Sequence, residues 1–425
     1  MPAGIRGRTL GTILLFAAMV AGCGTERTSA PAGPATIATD AGRDSPSPTT
    51  AVSPTASPHV IAEPPGDFYA VPDELPEGEP GDIIWAQPIM APPGALAWRV
   101  LYRSETISGV AIAVSGLVVA PDRPPPDDGF PVVAYAHGTT GLADQCAPSR
   151  ATRPLGAAAG TGALPVPALW DSGFVVAATD YEGLGTPGRH PYMVGGSEAR
   201  GVLDSVRAAR QLPEAQAADQ ATILGISQGG HAALFAGEVA PAYAAELRIN
   251  GVVALAPGAE LAHAAFLLAE DRTAVGYAVA IGAGFEAAYP EARLERVLTR
   301  AALDALPVVD DGCMSDVLAA FDRPVREVLR LEALIEPPWP ALLAENTPGR
   351  HPTAAPIFVG QGTADPIVVP QLTDALVARL CATGNAVTYR RYLGAGHGSV
   401  ADAAWADVRT FIGDRLAGRQ AASDC

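Results

Sequence analysis

The sequence predicts an α/β fold: a mostly parallel sheet with helices on both faces and an inserted, mainly helical cap. Three observations carry this. Short apolar runs recur with amphipathic stretches between them, the alternation of a chain built from strand–helix–strand units. One run, residues 221–227, passes through a glycine-rich turn directly into helix formers. The alternation stops at 259–354, where no clear strand pattern occurs and apolar and proline-rich stretches take over.

Taken in order, the chain opens on MPAGIRGRTLGTILLFAAMVAGCG. Arg6 and Arg8 precede an apolar run from Leu10 to Val20, and small residues lead on to Cys23. This is the pattern of a secretory signal peptide, too short for a spanning helix. Val20-Ala21-Gly22-Cys23 resembles the bacterial lipobox, which makes Cys23 the expected lipidation site. Acyl chains would then hold the exported chain on the outer face of the cell membrane. Residues 24–65 are rich in Ser, Thr, Pro, Ala and Gly, cannot build a core, and read as a disordered tether. The net charge of −17 argues against nucleic acid as a partner and against electrostatic docking to anionic lipid.

The folded part is expected over 66–258 and 355–425, with the cap at 259–354 between them. GVAIAVSGLVVAP (109–121) reads as a strand pair or one long bent strand. PVVAYAHG (131–138), GFVVAATD (173–180), ATILGIS (221–227), GVVALAPG (251–258) and PIFVGQG (356–362) are short buried strands, and AVTYRRYLG (386–394) alternates more. EARGVLDSVRAARQL (198–212) places Val202, Leu203, Val206 and Ala209 on one helical face. QLTDALVARLCATG (371–384) and DAAWADVRTFIGDRLAG (402–418) repeat the pattern. Within the cap, AHAAFLLAE and TAVGYAVAIGAGFEAAYP read as helices too short to cross a membrane.

Cys146, Cys313, Cys381 and Cys425 follow Cys23. In an exported chain an even number suggests two disulfides, with three possible pairings. Cys146–Cys313 with Cys381–Cys425 is favoured; the second bond would pin the C-terminal tail to the body. No C-x-x-C or H-x-x-x-H spacing occurs, so no metal site is expected, and no cofactor.

Chemistry centres on Gly225-Ile226-Ser227-Gln228-Gly229. With 45 glycines in 425 residues, about 0.2 G-x-S-x-G matches are expected by accident, so the flanks must decide. A strand before the motif and a helix after it suit a sharp turn that needs small residues at Gly225 and Gly229 and leaves Ser227 near a helix N-terminus. A serine hydroxyl needs a base, and the base needs a carboxylate to orient it. In the α/β-hydrolase order of serine, acid and histidine, Asp365 follows one apolar run and His397 the next, both at strand ends. The oxyanion donors would be the backbone N–H groups of Gln228 and of Thr139 in the loop His137-Gly138-Thr139-Thr140-Gly141. His137 and His231 read as structural or pocket-lining, because the base is already assigned. Asp180, Tyr181 and Glu182 in DYEGLGTPGRHPY read either as residues that line the site or, the preferred reading, as residues that hold their loop by hydrogen bonds.

YAHGTTG, DYEGLGTPGRHPY, GISQGGHAALFAGE, LAPGAEL, GQGTADPIV and GAGHGS, in this order, resemble the secretory lipases of the α/β-hydrolase superfamily, the fungal lipase A type and its actinobacterial relatives. The likeness runs from about Gly66 to near the C-terminus. It implies hydrolysis of carboxylic esters of lipids, with Ser227 as nucleophile, Asp365 as acid, His397 as base and a helical lid between LAPGAEL and PIFVG. It also favours the two disulfides above. Thr139 stands where the fungal branch carries an acidic side chain near its oxyanion donor. The alternatives are acyl transfer through the same acyl-enzyme, a short-chain carboxylesterase, or a binding module on the scaffold; no triad member is missing for the last. A monomer is expected.

Overall fold

The structure, a computed structural model, describes residues 62–151, 167–262, 272–353 and 355–425. The expected leader, Cys23 and the tether up to residue 61 lie outside these residues, as does nearly all of AHAAFLLAE.

Nine strands form one sheet: β1 (Ile83–Pro88), β2 (Ala95–Glu105), β3 (Ala111–Pro121), β4 (Phe130–Ala136), β5 (Val175–Thr179), β6 (Ala217–Ile226), β7 (Arg248–Leu255), β8 (Ile357–Gly362) and β9 (Val387–Tyr392). Their order is β1-β2-β3-β5-β4-β6-β7-β8-β9. β4 to β9 pair in parallel, while β1, β2 and β3 form an antiparallel flank. Residues 109–121 therefore form one strand, the second of the two expected options. The flanking β1 and β2 were not anticipated from the sequence.

The parallel strands read as unbroken apolar runs because both sheet faces are covered. Successive side chains alternate between faces. Val132, Ala134, Ile223, Val252 and Ile357 pack on one side with helices α1 (Gly195–Gln211), α2 (Gln228–Tyr243) and, further along the chain, Pro370–Ala382. Val133, Leu224, Val253 and Phe358 pack on the other with Val400–Leu416 and the short helix Pro167–Asp171. On α1, Val202, Leu203, Val206 and Ala209 are all fully buried.

Between β7 and β8 the chain builds its own apolar cluster from short helices. α3 (Val275–Ala288) is the longest described, followed by α4 (Met314–Ala320) and α5 (Trp339–Glu345). Phe285 of α3 stacks on Trp339 at 6.0 Å between ring centroids. This insertion is fastened to the sheet side at several points. The Arg189 guanidinium donates twice to Asp310, each at 2.7 Å. The Met314 N–H donates to the Thr140 carbonyl at 2.9 Å, and a disulfide joins Cys146 to Cys313.

A second disulfide, Cys381–Cys425, holds the tail. There the Asp424 N–H donates to the Val387 carbonyl and its carboxylate accepts from the Tyr389 N–H, both at 2.7 Å. The tail thus occupies hydrogen-bonding groups of β9, which would otherwise be an open sheet edge.

Candidate active site

The site lies at the carboxyl ends of the parallel strands. β5 lies on one side of β4 and β6 on the other, so the direction in which strands are added to the sheet reverses there, and the loops after β4 and β6 flank this switch point.

Ser227 sits between β6 and α2 with φ 58° and ψ −119°. A non-glycine residue rarely adopts this conformation, and strain of this kind persists only where the surroundings enforce it. Its N–H donates to the Leu255 carbonyl at 2.9 Å, and its carbonyl accepts from the N–H groups of His231 (3.1 Å) and Gly258 (3.2 Å). The flanking glycines make the turn possible. A Cβ on Gly225 would overlap the Gly229 carbonyl, and one on Gly229 would overlap the Ala136 carbonyl at the end of β4. Both glycines named from the sequence thus meet backbone at close range.

The structure brings Ser227, His397 and Asp365 together. Ser227 Oγ lies 3.0 Å from His397 Nε2, and His397 Nδ1 lies 2.8 Å from Asp365 Oδ2. Asp365 is 4% exposed and His397 8%. The other Asp365 oxygen, Oδ1, accepts from the N–H groups of Ile367 and Val368, each at 2.9 Å. Gln361 Nε2 adds a longer contact of 3.4 Å to Oδ2. The loops after β8 and β9 are laced by the Ala364 N–H donating to the Ala395 carbonyl at 2.9 Å. A buried carboxylate with every oxygen occupied is a fixed acceptor for one imidazole N–H. It leaves the other nitrogen free to accept a proton from the serine.

The loop after β4 lies against the nucleophile. A Cβ on Gly138 would come 3.8 Å from the Ser227 Cβ. Thr139 Oγ1 is hydrogen-bonded to the Tyr192 hydroxyl at 2.7 Å. Gln228 is the first residue of α2, so its backbone N–H stands at the positive end of a helix.

His137 and His231 lie outside the Ser227–His397–Asp365 chain. His137 is buried against the Tyr181 ring, with centroids 4.5 Å apart, and burial pushes its imidazole down from the ordinary range. Tyr181 is held at φ 73°, with its hydroxyl donating to the His137 carbonyl at 2.9 Å. Asp180 accepts from Ser115 Oγ (2.6 Å), from the Ser149 N–H (3.0 Å) and from Ser149 Oγ. Glu182 accepts from Ser197 Oγ at 2.5 Å. The loop after β5 is thereby fixed by hydrogen bonds.

Sequence reasoning missed a buried polar group behind Ser227. His190, Glu198, Gln228 and His231 are all within 2% of full burial. His190 Nδ1 donates to the Glu182 carbonyl (2.8 Å), and its Nε2 accepts from the Gln228 amide (2.9 Å). That arrangement needs a neutral ring, and desolvation holds its pKa at about 4. A depressed histidine pKa means that the unfolded chain takes up the proton first as pH falls. His190 therefore withdraws about 3 kcal/mol of stability between pH 6.5 and 4. Asp204, raised to about 6 by burial, acts in the opposite sense over part of the same range. The difference between parent and variant is what reads His190. In urea titrations at pH 7 and 4.5, His190→Gln should lose distinctly less stability on acidification than the parent. Equal losses would contradict this account.

A family model described as secretory lipase matches residues 154–424. The chain is 26% identical over 379 residues to a probable inactive lipase of Mycobacterium tuberculosis, spanning 83% of this chain and 82% of that one. It is 25% identical over 370 residues to lipase A of Moesziomyces aphidis, spanning 78% of this chain and 75% of that one. Candida antarctica lipase A in its closed state superposes with a TM-score of 0.72 at 21% identity, over 85% of this chain and 88% of that one.

Proposed function

The chain belongs to the secretory lipase family, an assignment that supports a carboxylic ester hydrolase, and from that premise we propose that it cleaves carboxylic esters of lipids through an acyl-enzyme formed on Ser227. The observation that carries the reading is the unbroken line Ser227 Oγ–His397–Asp365, at 3.0 Å and 2.8 Å, on a strained turn at a helix N-terminus. His397 takes the serine proton as Oγ attacks the ester carbonyl. Asp365 stabilises the resulting imidazolium and keeps Nε2 as the accepting nitrogen. The N–H groups of Gln228 and Thr139 hold the oxyanion. His397 returns its proton to the leaving alcohol, and water releases the acid by the same steps. That a relative carries the words probable inactive does not outweigh the contact of all three side chains here.

The hydrolase core would be 66–258 with 355–425, and the helical insertion 259–354 would cap the site. Esters of lipids carry long acyl chains, and on this reading they are the preferred substrates. In a series of p-nitrophenyl esters from acetate to palmitate, kcat/KM should rise toward C10–C16. A maximum at C2–C4 would make the protein a short-chain carboxylesterase instead. Transfer products exceeding free acid at modest concentrations of glycerol or sugar would make it an acyltransferase.

The lipobox supports export and anchoring through Cys23. Cells fed radiolabelled palmitate should label the parent chain and not Cys23→Ser; labelling of both would remove the anchor from this reading.

A further inference from the structure

We infer that Glu198 and His231 form a buried hydrogen-bonded pair that positions Gln228, and through it the N–H that would hold the oxyanion. This rests on the acyl-enzyme reading and adds to it two residues that do not touch the substrate. The His231 ring stands between two acceptors: Nδ1 is 2.6 Å from a Glu198 oxygen, and Nε2 is 2.9 Å from the Asn346 carbonyl. A carbonyl only accepts, so Nε2 carries a hydrogen, and the imidazole and carboxylate share a second along the shorter bond. Both side chains have no solvent exposure.

The second Glu198 oxygen accepts from Gln228 Nε2 at 3.0 Å and from the Met193 N–H at 3.1 Å. The remaining amide hydrogen of Gln228 goes to His190 at 2.9 Å. The Gln228 side chain is thus held at two points, by His190 and by Glu198, and its orientation is fixed by groups that accept its amide hydrogens. Low surrounding dielectric strengthens each of these bonds, and a network with every member satisfied is rigid. An oxyanion donor acts only if it stands within a few tenths of an ångström of its place before the reaction.

The contact to Asn346 gives the pair a second anchor. Asn346 ends α5 in the insertion. Its side chain accepts from the Gly195 N–H (2.9 Å) and donates to the Tyr289 hydroxyl (3.1 Å). One imidazole therefore ties the helix that follows the nucleophile both to α1 and to the insertion.

Glu198→Gln keeps the shape and replaces the carboxyl group with an amide. Gln228→Met leaves the pair intact and cuts its link to the oxyanion residue. Either variant, folded by circular dichroism and labelled on Ser227 by a fluorophosphonate, should show kcat lowered about 10-fold with KM within twofold. The inhibition constant of a trifluoromethyl ketone, which mimics the tetrahedral intermediate, should rise by the same factor, because the loss lies in transition-state binding. Should Glu198→Gln not fold, Gln228→Met alone decides. Lowered thermal stability with kcat and the ketone constant unchanged within twofold would overturn the positioning role and leave the serine mechanism standing. A parent enzyme that the fluorophosphonate does not label would remove that mechanism, and this inference with it.

Discussion

Alanine in place of Ser227 is expected to lower kcat for ester hydrolysis by about 10⁶-fold while leaving the fold intact. The size follows from what the hydroxyl does: without it no acyl-enzyme forms, and only binding and the oxyanion donors remain to assist water. Stability should hardly change. Ser227 occupies the N-cap of α2 without a side-chain capping bond, so the helix loses nothing when Oγ is removed. The strained backbone is set by bonds from Leu255, His231 and Gly258 to main-chain atoms, and alanine keeps those. A thermal midpoint within about 2 °C of the parent together with lost turnover would place the effect in the chemistry. Turnover within tenfold of the parent would mean that another group is the nucleophile.

Asparagine at Asp365 should cost about 10⁴-fold in kcat, and the structure says why. Oδ1 faces two backbone donors, the N–H groups of Ile367 and Val368, so the amide oxygen of asparagine must take that place. Its NH₂ then points at His397 Nδ1, where Asp365 now accepts. Two donors cannot share a bond, so the imidazole moves its hydrogen to Nε2, the nitrogen that must accept the serine proton. The deficit should shrink as pH rises, because hydroxide can deprotonate the serine without the histidine. A pH-independent deficit, or one below tenfold, would refute this account of the pair.

The parallel half of the sheet was legible because its strands are buried on both faces and read as runs such as PVVAYA and ATILGI. The three residues now in contact were legible for a related reason: Ser227 and Asp365 each follow such a run, and His397 follows the more alternating β9, where a strand ends and a loop must turn. β1 and β2 escaped because they lie at the antiparallel margin. Arg99 and Arg103 interrupt the apolar residues of β2, and the strand-favouring Trp98, Val100 and Tyr102 were the signal that could have revealed it. The Glu198 group was invisible for a different reason. On α1 the acidic residues Glu198 and Asp204 are of a kind that normally faces water, yet both are fully buried. Several of their partners, Gln228, His231 and Tyr243, come from positions 30 or more residues away, and no local pattern announces a partner at that distance.

The bond between Cys146 and Cys313, with Met314 donating to Thr140 beside it, has a kinematic consequence. A covalent rivet at one corner lets the insertion swing but not slide. A swing about that corner would also have to break the bonds of Arg189 to Asp310 and of His231 and Gly195 to Asn346. The rivet sits next to the loop that carries Thr139, so the pivot of any such swing coincides with the part of the site that must stay still.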